Sequence, residues 1–173
     1  MSALQFCVDV LKTGMVQGVG LQSLPDAWEV ALGSGYLDDV QKNRMRRDYG
    51  LIELSFLKSD GEWACIEASI QVHRLKMLPA EDVVPDVLVQ RYGKFESTVR
   101  MGDLIESLAV CGVRHDLILD RNQERHKRFS VEEAPAIIHV LANDFDTAGS
   151  LKSGDVWSIS LPRDFGRRKA ALV

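Results

Sequence analysis

Two stretches of strict alternation, residues 51–56 and 63–73, flank the turn-forming triplet Ser59-Asp60-Gly61, and no other feature narrows the possible folds of this chain so much. Successive side chains on a strand point to opposite faces, so a period of two implies a strand with one side turned to a core. In the first stretch Ile52, Leu54 and Phe56 point one way, and Glu53 and Ser55 the other. In the second, Ala64, Ile66, Ala68, Ile70 and Val72 form an apolar side, while Trp63, Cys65, Glu67, Ser69, Gln71 and His73 form a mixed side. An antiparallel hairpin follows. Residues 44–49, ahead of the break at Gly50, supply a candidate further strand.

Upstream of the hairpin the period is helical. Leu4, Cys7, Val8 and Leu11 share one face of a helix over residues 2–12, and Gly14 is its stop. Ser23 is placed to cap a second helix, Pro25 is tolerated in its first turn, and Asp26 favours the positive end of the helix dipole. Leu24, Ala27, Trp28, Ala31 and Leu32 make one apolar stripe that ends at Gly33. Pro79 and Pro85 then mark a joint, because proline ends regular structure and disfavours helix just before it. Beyond it the pattern restarts: residues 85–92 read as a helix stopped by Gly93, and residues 102–111 as another, with Leu104, Ile105, Leu108 and Cys111 on one face and Gly112 beyond.

The glycine stops repeat at one offset, since 93 − 14 = 79 and 112 − 33 = 79. Residues 136–142 and 156–161 read as later strands, with Trp157, Ile159 and Leu161 facing inward. These spacings predict an α+β fold of two tandem αα-β units, residues 1–78 and 79–173, forming an antiparallel sheet with helices on one face. The two units are compatible with one continuous domain, and a chance match of two glycine-stopped helices is the competing reading of the offset.

A chain of 173 residues can bury roughly 70% of its unfolded surface and needs no staple. Its 46% hydrophobic and 27% charged residues are ordinary for a soluble globular protein, and no apolar run approaches the roughly 20 residues of a membrane helix. The first six residues lack the basic-then-apolar pattern of a secretory leader, so a cytoplasmic location is expected. Cys7, Cys65 and Cys111 lack paired spacing and lie among apolar residues, which predicts reduced, buried thiols. A net charge of −4 disfavours nonspecific nucleic-acid or lipid binding and leaves room for a basic protein partner.

No catalytic or cofactor motif stands out. His73, His115, His126 and His139 could titrate near neutral pH, yet none has the spacing of a metal-ligand pair, and solvated or hydrogen-bonded roles are commoner for each. Ser107 and Ser130 lie outside any nucleophile-elbow pattern. The basic run at residues 121–128 could meet phosphates, making a nucleic-acid or regulatory adaptor the alternative function. A solvated loop fits that run better, because aromatic residues for base stacking are not interleaved with it. If helices cover the side bearing Ile66 and Ile70, the opposite side presents Glu53, Trp63, Glu67, Gln71 and His73, an aromatic anchor among polar groups suited to a protein partner. Trp63 packed at the sheet edge is the competing reading.

The segments Val19-Gly20-Leu21 through Gly33, Tyr49-Gly50-Leu51-Ile52-Glu53-Leu54-Ser55-Phe56, and Val99-Arg100-Met101-Gly102 through Gly112 carry a resemblance. Their arrangement resembles the tandem helix-loop-helix and antiparallel-sheet architecture of the β-lactamase inhibitor proteins, and each unit resembles the small outer-membrane assembly lipoproteins. The chain departs from both in lacking a leader pattern and the inhibitors' cysteine pairs. Asp48-Tyr49-Gly50 leading into an alternating strand is similar to cytoplasmic immunity proteins that accompany bacterial toxins. That likeness implies a non-enzymatic inhibitor that occludes a cognate protein toxin, without cofactor or metal. An uncharacterised hydrolase using His73 and His139 is a third expectation.

Overall fold

The computed structural model describes residues 2–113, 118–122, 125–130, 136–144 and 151–162. Helix α1 (Ala3–Thr13) begins where Ser2 Oγ accepts from the Gln5 N–H, and Gly14 ends it in the left-handed region at φ 66°. Helix α2 (Pro25–Leu32) has Leu24 at its start and no side-chain cap, which corrects the expected role of Ser23. The Ser23 carbonyl instead accepts from the Cys65 N–H at 3.0 Å, so tertiary pairing with a strand holds this residue.

Four strands then meander: β1 (Leu37–Gln41), β2 (Arg44–Asp48), β3 (Ile52–Ser59) and β4 (Glu62–Ile70). Asp60 and Gly61 both adopt positive φ, 53° and 91°, as a tight turn between right-twisted strands requires. Two single helical turns, α3 (Arg74–Met77) and α4 (Ala80–Val83), lead to α5 (Asp86–Tyr92) and α6 (Met101–Val110). The second meander is β5 (Ile118–Asn122), β6 (His126–Ser130), β7 (Ile137–Leu141) and β8 (Val156–Pro162). The basic run at residues 121–128, expected as a loop, thus contributes to the paired strands β5 and β6.

All eight strands form one antiparallel sheet in the order β1-β2-β3-β4-β8-β7-β6-β5. The two meanders meet at β4 and β8, where Ala68 faces Leu161 and Ile70 faces Ile159. Helix α1 packs on α6 and α2 on α5, so helices from the two halves of the chain interlock. One core joins them: Met45, Ile52, Leu54, Phe56, Ala68, Ile70, Ile138, Val140, Ile159 and Leu161 from the sheet bury against Phe6, Leu11, Trp28, Leu88, Leu104 and Leu108 from the helices. Burying each large side chain contributes about 1.5–3 kcal/mol.

The proline joint is docked onto the sheet. Leu51 N–H donates to the Val83 carbonyl at 2.6 Å, and a Cβ on Gly50, whose φ is 83°, would lie 2.5 Å from that same oxygen. Only glycine lets α4 approach so closely. The thiols of Cys7 and Cys65 are buried and pushed up to about 12 by burial, whereas Cys111 is exposed, against expectation, because it follows the last turn of α6.

Two bulges shift the phase of alternation. On β4 the register passes from Ser55↔Glu67 to Phe56↔Cys65, leaving Ile66 as an extra residue. On β8 it passes from His139↔Ser158 to Val140↔Val156, leaving Trp157 extra. A residue inserted into one strand moves everything beyond it to the other face.

Candidate functional site on the polar sheet face

The face of the sheet turned away from the helices is built from the alternate positions of each strand. Arg44, Arg46 and Asp48 of β2 align with Glu53 and Ser55 of β3, then with Glu67 and Ser69 of β4 and Ser160 of β8. Further along the same face stand Ser158 of β8, His139 of β7, and Arg128 and His126 of β6.

Of the residues predicted to contact a partner, Glu53, Glu67, Gln71 and His73 belong to this side. Trp63 does not. The Ile66 bulge turns Cys65 and Trp63 toward the core, where Trp63 packs against buried side chains and lines a cleft with Leu24, Pro25 and Met45. By the same shift Ile66, expected on the covered side, lines a cleft of about 310 Å³ with Ser55, Arg46 and Glu67. The reason is a backbone need: Cys65 exchanges both its backbone hydrogen bonds with the segment Gln22–Ser23, at 2.8 and 3.0 Å, beyond the reach of β8.

Trp157, unlike Trp63, turns to this side. As the extra residue of the β8 bulge it leaves the inward row of Ile159 and Leu161, correcting its predicted orientation. Its indole stacks on His73 with ring centroids 4.0 Å apart and planes 1° from parallel, and His126 meets it edge-on at 5.3 Å. The Trp157 carbonyl accepts from the His73 N–H at 3.0 Å and lies 3.1 Å from His73 Nδ1, which locks the imidazole in the stack.

Three of the four histidines therefore gather on one face. His115 lies outside the described residues. Burial holds His73 below its ordinary pKa, with Arg74 adding to the effect against the favourable Trp157 carbonyl. Burial and Arg125 do the same for His126, and burial, Arg128 and His126 for His139. At all three sites burial therefore favours the neutral imidazole. Sequence spacing could not have found this group, since residues 73, 126, 139 and 157 come from four separate segments.

An ionic network borders the aromatic group. Arg74 donates to Asp48 Oδ1 at 2.8 Å, to the Gly50 carbonyl at 2.5 Å and to Glu53 Oε2 at 3.0 Å, and Arg46 donates to the same Glu53 oxygen at 2.6 Å. Two guanidinium groups thus balance two carboxylates. Glu53 is accordingly held by its own chain, which makes it a rigid element of the face. Gln71 Nε2 donates to Ser69 Oγ at 3.2 Å and is similarly oriented. Beside the network, Ser34, Tyr36, Leu37, Tyr49, Arg74 and Asp82 help line a cleft of about 570 Å³.

Among the described residues, no cluster of histidine, cysteine and acidic side chains is arranged to hold a metal ion, and no helix is long and apolar enough to cross a membrane. The β2–β4 part of the face offers oriented hydrogen-bonding groups with a cleft at its end and the stacked aromatic beside it, whereas on the β7–β8 part Ile137, Leu141 and Ser158 are buried. Such a surface can recognise another macromolecule by shape and charge. No known protein family, no curated protein and no solved structure matches this chain.

Proposed function

We propose that this chain is a binding protein, an immunity protein that occludes a cognate bacterial toxin with the polar face of its sheet. The observation that carries the reading is the His73–Trp157–His126 aromatic group held beside the Arg46/Arg74–Asp48/Glu53 network on the face that the helices leave uncovered. Interfaces draw most of their energy from a few rigid aromatic or arginine anchors ringed by oriented polar groups. Trp157 is the anchor in this reading, His73 and His126 pack against it, Glu67 and Gln71 extend the contact along β4 away from it, and the cleft beside Arg74 receives a side chain of the partner.

Preorganisation is the physical advantage. Side chains fixed before contact lose little entropy on binding, so an interface of roughly 1,600 Å² can reach nanomolar affinity. The experiment is co-expression with the product of the adjacent gene. The expected result is a stable complex and suppression of that product's toxicity, with the complex weakened in Trp157→Ala. A chain that neither binds the neighbouring gene product nor protects cells from it removes the proposal.

A further inference from the structure

We infer that this protein self-associates through β1, pairing that strand with β1 of a second copy to continue the sheet across a two-fold axis. Strand β1 is an edge strand, and all five of its residues are exposed, including Leu37 at 79% and Val40 at 57%. Exposed edges are ordinarily guarded by charged side chains, lysine above all, by proline, by a bulge or by shortness, because unpaired backbone groups invite another strand; β1 is short and carries two acids, of which Asp38 is taken up by Arg47. Within Leu37–Gln41 there is no lysine or proline, and the register with β2 runs unbroken over all five pairs.

The pattern of backbone groups sets which residues can bond outward. A two-residue turn, Lys42-Asn43, closes on the pair Gln41↔Arg44, so Gln41 and Asp39 direct their N–H and C=O toward β2. Val40 and Asp38 direct theirs away from the sheet. Three symmetric antiparallel registers can use those groups near the strand centre. Centring on Asp38 or Asp39 sets a carboxylate opposite its own copy, which is unfavourable. Centring on Val40 removes that conflict: Val40 faces Val40 of the second copy, Asp39 faces Gln41, and Asp38 faces Lys42.

The side chains favour the same register. Val40 lies in the row that runs through Met45, Phe56 and Cys65 on the helix side of the sheet. Met45, Phe56 and Cys65 are buried, so this apolar row ends at the edge with an uncovered valine. Pairing about Val40 covers it with its twin and makes the row continuous between copies. Asp38 is already engaged with Arg47 through two hydrogen bonds, at 2.8 and 2.9 Å, which holds β1 straight and neutralises its inner acid. Because the axis is perpendicular to the sheet, both polar faces look the same way, so the pair would present two binding surfaces side by side.

The test is sedimentation equilibrium of the full chain alone and of Val40→Pro. Proline at this position removes the outward N–H and leaves the bonds to β2 intact. A contact this small predicts a concentration-dependent dimer that is half-formed at roughly tens of micromolar. Val40→Pro is expected to weaken it at least tenfold while retaining the native circular dichroism spectrum. Should the proline variant fail to fold, Val40→Lys sets two ammonium groups against each other on the axis and is expected to give a monomer. A wild-type chain that stays monomeric through hundreds of micromolar overturns the inference, as does a folded Val40 variant that dimerises like wild type. Acquisition of an edge strand only from a different protein overturns it too. None of these results bears on toxin binding by the polar face.

Discussion

Trp63 and Trp157 stand on the last strand of their respective meanders, each beside a bulge, yet one faces the core and the other the polar side. The difference lies in where the extra residue falls. In β4 it is Ile66, three positions beyond Trp63, so the whole beginning of the strand changes phase. In β8 it is Trp157 itself, so one side chain is pushed out while Val156 stays buried at 1% exposure. A bulge thus decides the fate of an aromatic residue as firmly as its hydrophobicity does.

The largest test of this contrast is alanine at each tryptophan. Trp157→Ala should reduce partner affinity about 100-fold, in the range of hot-spot residues, with little loss of stability. Trp63→Ala should leave affinity within about threefold and cost about 1–3 kcal/mol in a denaturant titration, as partial loss of core packing does. Calorimetry showing the opposite pattern would exchange their roles.

A smaller effect is expected where the ionic network meets the aromatic group. Glu53→Ala leaves Arg46 and Arg74 without their shared acceptor and should cost about 1–2 kcal/mol of stability. Removing Ile66 should cost less, under about 1 kcal/mol, because a regular β4 without the extra residue keeps Cys65, Ala68 and Ile70 on the core side. The emission of Trp63 should then remain that of a core-packed indole.

Acidification should destabilise the folded chain. His73, His126 and His139 are harder to protonate folded than unfolded, so the unfolded chain binds more protons once pH falls below about 6.5. Stability should therefore be full above that value and decline on acidification toward the lowered folded values. Thermal melts at pH 7.5 and 5.5 measure the decline, which His73→Gln should reduce. An unchanged melting temperature across that interval would mean that the histidines around Trp157 are solvated.

The helices and most strands were legible because their signals are local. Gly14, Gly33 and Gly93 adopt positive φ at the ends of α1, α2 and α5, and Gly112 does so just past α6, where a side chain would be strained. Ile52, Leu54 and Phe56 alternate because one face of β3 is buried. Strand β1 gave no such signal. All five of its residues are exposed, so no apolar period exists to be read, and only pairing with β2 makes it a strand.

The chain's own pattern of glycines, prolines and alternating side chains determined that helix pairs precede antiparallel strands and which side of β3 enters the core. Those choices depend on φ preferences and on water, both of which act on neighbouring residues. Tertiary structure alone decided that Cys65 would pair with Gln22 and Ser23, that Gly50 would admit Val83, and that His73, His126 and His139 would gather around or beside Trp157. Each of these joins segments far apart along the chain, and the bulges that permit them answer to hydrogen bonds that no local period records.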